Sequence, residues 1–126
     1  MIADAYESYR RMGNNRARAG HYAFATTDDG TDVLITVKGS TWSIRIQKIW
    51  LTIKTDAAQT ITFEDTAASP IFIEKSDASP GANTQYIWEF GPKGKLLTQN
   101  KDFAMTFSAA GLAGHVEWMG YEEQTG

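Results

Sequence analysis

The 126 residues carry a net charge of −3 and no cysteine, a length that suits one domain whose core buries about two-thirds of the unfolded surface unaided by metals. The lack of cysteine removes disulfide frameworks, thiolate metal sites and cysteine nucleophiles. Mild acidity argues against a molecule-wide footprint for nucleic acid or anionic membrane, and the apolar runs are far too short to span a bilayer.

The chain opens on Met1-Ile2-Ala3-Asp4, which lacks the basic-then-apolar order of a secretory signal, so no targeting segment is expected. Tyr6, Tyr9 and Met12 follow at helical spacing until Gly13-Asn14-Asn15 interrupts it, which predicts a short helix or an arm. Arg10, Arg11, Arg16 and Arg18 make this end basic, yet Arg16-Ala17-Arg18-Ala19-Gly20 offers little apolar surface to anchor it. Residues 1–20 are therefore expected to be an N-terminal arm that orders against a partner, and residues 21–126 the folded domain. Arginines without interleaved aromatics point away from nucleic acid. Their bidentate geometry suits acidic patches on neighbouring protein subunits.

From His21 onward, short runs rich in Ile, Val, Thr and aromatics alternate with clusters of Gly, Pro, Asp and Asn, the pattern of strands and turns. About eight strands are predicted: 21–26, 32–38, 41–55, 60–64, 71–75, 85–90, 101–108 and 113–121, with a weaker candidate at Leu96–Leu97. In the third, Trp42, Ile44 and Ile46 share one parity, whereas Ile49, Leu51 and Ile53 share the other. A slip of phase near Gln47-Lys48 requires a β-bulge, because side chains alternate with period two. Later runs keep one phase: Tyr86, Trp88 and Phe90, then Phe103, Met105 and Phe107, then Val116 and Trp118. Many short strands without a long helix predict an all-β sandwich; the jelly roll suits the count, and an immunoglobulin-like sandwich is the alternative.

The candidate chemistry is sparse. His21 and His115 have no partner at metal-ligand spacing, although Glu117 shares the strand parity of His115. Asp28-Asp29-Gly30-Thr31-Asp32 lacks the register of a calcium loop and reads as a turn. Gly91-Pro92-Lys93-Gly94-Lys95 is followed by Leu96 where a phosphate loop needs Ser or Thr, and no Gly-x-Ser-x-Gly elbow occurs. Glu64/Asp65 and Glu122/Glu123 are sequence neighbours, which on a strand point to opposite faces. No catalytic residue, metal or cofactor is predicted. Trp42, Trp88 and Trp118 fall in phase with the core, whereas Trp50 is off-phase beside Ile49 and Leu51 and is the expected interface aromatic.

Three stretches, Ala57-Ala58-Gln59-Thr60-Ile61-Thr62-Phe63-Glu64-Asp65, Tyr86-Ile87-Trp88-Glu89-Phe90-Gly91-Pro92-Lys93-Gly94 and Phe107-Ser108-Ala109-Ala110-Gly111-Leu112-Ala113-Gly114-His115-Val116, together with Gly120-Tyr121, resemble small structural proteins of tailed bacteriophages. Among these are capsid decoration, or cement, proteins, and the resemblance runs over roughly residues 33–121. It implies a homotrimer on the capsid surface that staples adjacent major capsid protein subunits. Arg10, Arg11, Arg16 and Arg18 would then be polar contacts, and Tyr6, Tyr9 and Met12 apolar ones. The competing reading is a carbohydrate- or receptor-binding module of a tail or fibre that uses Trp50 or tyrosines as a stacking surface.

Overall fold

A computed structural model describes residues 16–55, 59–66, 71–77 and 84–126, with the backbone alone at Arg16 and over 71–77. These residues form nine strands: β1 (Arg16–Phe24), β2 (Gly30–Ile35), β3 (Trp42–Thr55), β4 (Gln59–Asp65), β5 (Ile71–Asp77), β6 (Thr84–Glu89), β7 (Lys95–Leu96), β8 (Phe103–Phe107) and β9 (Ala113–Gln124). One sheet runs β1-β9-β3-β6, with the short β7 also on β3, and the second runs β2-β8-β4-β5. We call them sheet A and sheet B. With β7 set aside, β1 pairs β9, β2 pairs β8, β3 pairs β6 and β4 pairs β5, all antiparallel. That nesting is one long hairpin rolled on itself, which makes the domain a jelly roll and settles the choice against the immunoglobulin-like order.

The phase slip in the third run has a structural cause. The β3–β9 register shifts between Ile46 and Lys48, so Gln47 is an extra residue. Ile44 and Ile46 before it, and Ile49, Leu51 and Ile53 after it, consequently all point inward and are fully buried. They face Ile61, Phe63, Phe103, Met105 and Phe107 from sheet B. Aromatic pairs tie the sheets together: Phe24 to Phe107 at 5.0 Å, Phe63 to Trp88 at 5.6 Å and Phe103 to Trp118 at 6.3 Å between ring centres. Each such pair adds about 1 kcal/mol beyond the area it buries.

The first strand starts at Arg16, five positions ahead of the expected domain boundary at His21. Composition missed it because this strand is held by a specific ion pair and a close aromatic, with few apolar side chains of its own. Arg18 points inward and its Nη1 pairs with Oε1 of Glu122. The Glu122 side chain is wholly buried, and its Oε2 accepts the Lys38 backbone N–H at 2.6 Å. Two residues along, the Trp118 ring occupies the space where Gly20 lacks a side chain.

Turns follow local chemistry. Asp28 Oδ2 accepts the Ala25 N–H at 2.8 Å and Gly30 takes a φ of 82°, so the acidic run is a strand connection. In Gly91-Pro92-Lys93-Gly94 the Gly94 N–H bonds the Gly91 carbonyl at 3.1 Å, and both glycines have positive φ. The loop closes on itself as a tight turn.

Candidate protein-binding surface

The outer face of sheet A is built from residues that the core does not use. Registers across β1, β9, β3 and β6 place Ala19, Met119, Lys48 and Glu89 in one row and His21, Glu117, Trp50 and Ile87 in the next. Ile87 is 52% exposed and Met119 45%, with half-buried Trp50 beside them, and Leu96, 48% exposed, lies further along β3 opposite Arg45. Lys48 lies across the patch, with its Nζ 4.6 Å from the centre of a Trp50 ring and 3.0 Å from Glu89 Oε1. A shallow open depression beside it is lined by Gln47, Lys48, Glu89, Gly91 and Met119. Its form suits a protruding side chain, since small-molecule sites are enclosed clefts.

Sheet B presents the opposite character. Thr31 Oγ1 and Thr106 Oγ1 lie 2.9 Å apart, and the Thr106 hydroxyl donates to Glu64 Oε1 at 2.5 Å. Thr60 and Thr62 continue this face, on which Val33 is the one large exposed apolar residue among the described side chains. Among the described side chains, the outer face of sheet A alone carries an aromatic and exposed aliphatics together, the composition of an interface centre.

The predicted residues separate on this frame. Trp50 faces outward, as its phase requires. Arg18 is already engaged within the domain by Glu122 and by the Thr36 carbonyl at 3.3 Å, so it serves the fold and is not free for a partner. Arg16 begins β1. Tyr6, Tyr9, Arg10, Arg11 and Met12 lie outside the described residues. Ile87 and Met119 were legible by the signal that picked out Trp50: each is an apolar residue one step off the phase of its strand, beside Trp88 and Trp118.

The two histidines, isolated in sequence, meet on this face with ring centres 5.5 Å apart, and Glu117 stands opposite His21. No group of three metal-capable side chains occurs among the described residues. The neighbouring acidic residues divide as strand geometry demands. Glu64 points out to Thr106, whereas buried Asp65 accepts the Thr98 N–H at 2.9 Å. Glu122 points in to Arg18, whereas Glu123 points out to Arg45 at 2.6 Å.

One titratable cluster sits where β1 passes into β2. Burial, then the charge of Asp28, raises the Asp32 carboxyl above its usual range, and a hydrogen bond with Tyr22 partly offsets this. Tyr22 is pushed up to about 12 by burial and by the carboxylates of Asp32 and Asp28. The folded state thus holds the Asp32 proton more tightly than the unfolded chain does. This group favours folding at low pH, and its contribution is lost as pH rises through the raised value. Asp32→Asn should therefore melt above the parent at pH 7, with the gap closing as the parent carboxyl takes up its proton; melts at pH 7 and pH 3 check this.

No family model matches the sequence, and no curated protein does. Solved structures similar to this chain include a protein of the disulfide-linked pili of Bacillus endospore appendages, at 11% identity and TM-score 0.46, over 89% of this chain and 88% of that one. A protein of the virus-like particle of extra small virus from the prawn Macrobrachium rosenbergii matches at 11% and 0.40, over 89% and 81%. The Tobacco streak virus coat protein dimer matches at 16% and 0.43, over 90% and 86%. The jelly roll rests on this chain's own strand pairing.

Proposed function

We propose that the chain is a non-catalytic structural protein of a phage virion that decorates the capsid surface and stabilises it by bridging major capsid protein subunits. The observation that carries the binding role is the apolar, Trp50-centred outer face of sheet A set against the threonine-lined face of sheet B. The capsid setting comes from the resemblance to cement proteins. In this reading the sheet A face rests on the shell, and Tyr6, Tyr9, Arg10, Arg11 and Met12 reach adjacent subunits. Many weak contacts then act together across the lattice. Self-association is part of the same reading, and the resemblance implies three copies. The competing sugar-binding reading requires an open aromatic face, but Lys48 already lies over Trp50.

The test is co-sedimentation with capsid shells that lack the protein. Ile87→Lys places a charge in the patch and should weaken attachment about tenfold or more, or ~1.4 kcal/mol. Thr62→Lys on sheet B should leave attachment unchanged. Deleting residues 1–15, which spares β1, should also weaken it without unfolding the domain. Equal binding by the parent and Ile87→Lys would overturn the assignment of this face, and specific hits on a glycan array would favour the sugar-binding module.

A further inference from the structure

Sandwiches expose four edge strands, and three of those here carry features that discourage pairing with another chain. The register of β2 breaks between Val33 and Ile35, and its half-buried Asp32 points inward. The pairing of β5 with β4 is interrupted at Phe63/Glu64, and its sequence ends in Glu74-Lys75-Ser76-Asp77. Only six residues long, β6 displays the Glu89 ion pair with Lys48. By contrast β1 has nine residues in unbroken register with β9. Its exposed side chains are Ala17, Ala19, His21 and Ala23, and its inward Arg18 is held by Glu122.

The free hydrogen-bonding groups of this edge can be assigned. Phe90 N–H bonds the Gln47 carbonyl and Leu97 N–H bonds the Ile44 carbonyl, so those two β3 residues face β6 and β7. Alternation along antiparallel ladders then turns the odd-numbered backbone groups of β9 toward β3 and the even-numbered ones toward β1. Even-numbered residues of β1 face β9. The N–H and C=O groups of Ala17, Ala19, His21 and Ala23 therefore point away from the sheet, and no described residue pairs with them.

We infer that β1 binds the β1 strand of a second copy, antiparallel about a two-fold axis at Gly20. The inference rests on the self-association in the proposed function and fixes it at two copies. Gly20 is the midpoint of Arg16–Phe24, so this register alone overlaps the strand in full. It also matches the required parity: Ala17 meets the partner copy's Ala23 and Ala19 meets its His21, each as a hydrogen-bonded pair, giving about eight new hydrogen bonds. At the axis, where non-hydrogen-bonded strands approach most closely, glycine faces glycine. The outward side chains beside the junction are three alanines and one histidine per copy, which leave room for two sheets to run on as one. The two apolar faces of sheet A then become a single surface, suited to spanning two capsid subunits.

Sedimentation equilibrium of the full chain tests this, with two edge variants. Ala19→Pro removes one outward N–H and leaves the β9 ladder intact, as proline is tolerated on an edge. Ala19→Lys adds an edge charge. The parent should be a dimer whose dissociation constant rises at least about tenfold in both variants, while far-UV circular dichroism is unchanged and Ile87→Lys remains dimeric. Should the variants fail to fold, hydrogen exchange on the parent decides: amides 17, 19, 21 and 23 should slow as protein concentration rises. A parent that is monomeric throughout, including by covering its own edge with residues 1–15, overturns the inference. So does an assembly of three, or a dimer indifferent to both variants. Those last two results leave self-association standing, and capsid co-sedimentation judges the wider reading separately.

Discussion

Glu122→Ala should lower stability by about 3 kcal/mol, a fall in melting temperature of roughly 10 °C for a domain of this size. The side chain is fully buried between the sheets, and it joins three segments: Arg18 of β1, its own strand β9, and the Lys38 N–H in the β2–β3 connection. Removing it leaves that N–H without its acceptor and the Arg18 guanidinium without its charged partner, with only the Thr36 carbonyl remaining. Arg18 is partly exposed and recovers some hydration, which keeps the loss at the lower end for a broken buried pair. Glu122→Gln retains the shape and one acceptor and should cost about half as much. Because the pair anchors the start of β1, hydrogen exchange in Arg16–Gly20 should rise in Glu122→Ala before the rest of the domain unfolds. Chemical denaturation with exchange mapping measures both effects.

Gly114→Ala should be comparably severe, also about 3 kcal/mol. A Cβ at Gly114 would lie 2.0 Å from the Thr52 carbonyl oxygen and 3.0 Å from its carbonyl carbon. Both are backbone atoms of the neighbouring strand, so no rotamer change relieves the clash and β3 must separate from β9. The same holds at Gly120, where the added Cβ would stand 2.2 Å from the Arg45 carbonyl oxygen. The two glycines sit beside the irregularities in the β3–β9 register, at Ile53/Thr55 and Ile46/Lys48. Bulges in the long central strand bring its carbonyls over the last strand, which accommodates them by lacking side chains. A midpoint in urea lowered by less than the equivalent of ~1 kcal/mol would contradict this packing.

The bulge was legible because five buried aliphatics in β3 leave only one way to reconcile their phases. Trp50 was readable from the same pattern, and so in principle were Ile87 and Met119. Three other features were beyond any local reading. The stretch from Arg16 to Gly20 has the composition of an arm and becomes a strand through Glu122, more than a hundred residues away, and through Trp118. His21 and His115 look isolated until β1 pairs with β9. The two bulge-facing glycines have partners only in the folded sheet. All three depend on non-local strand pairing, which periodicity does not encode.

A reconstruction of the intact virion tests the central claim most directly. It should show this jelly roll on the outer capsid surface, with the Trp50, Ile87 and Met119 face of sheet A seated on major capsid subunits and the threonine face of sheet B toward solvent. Absence of the protein from the capsid, or a domain seated through sheet B, would contradict it.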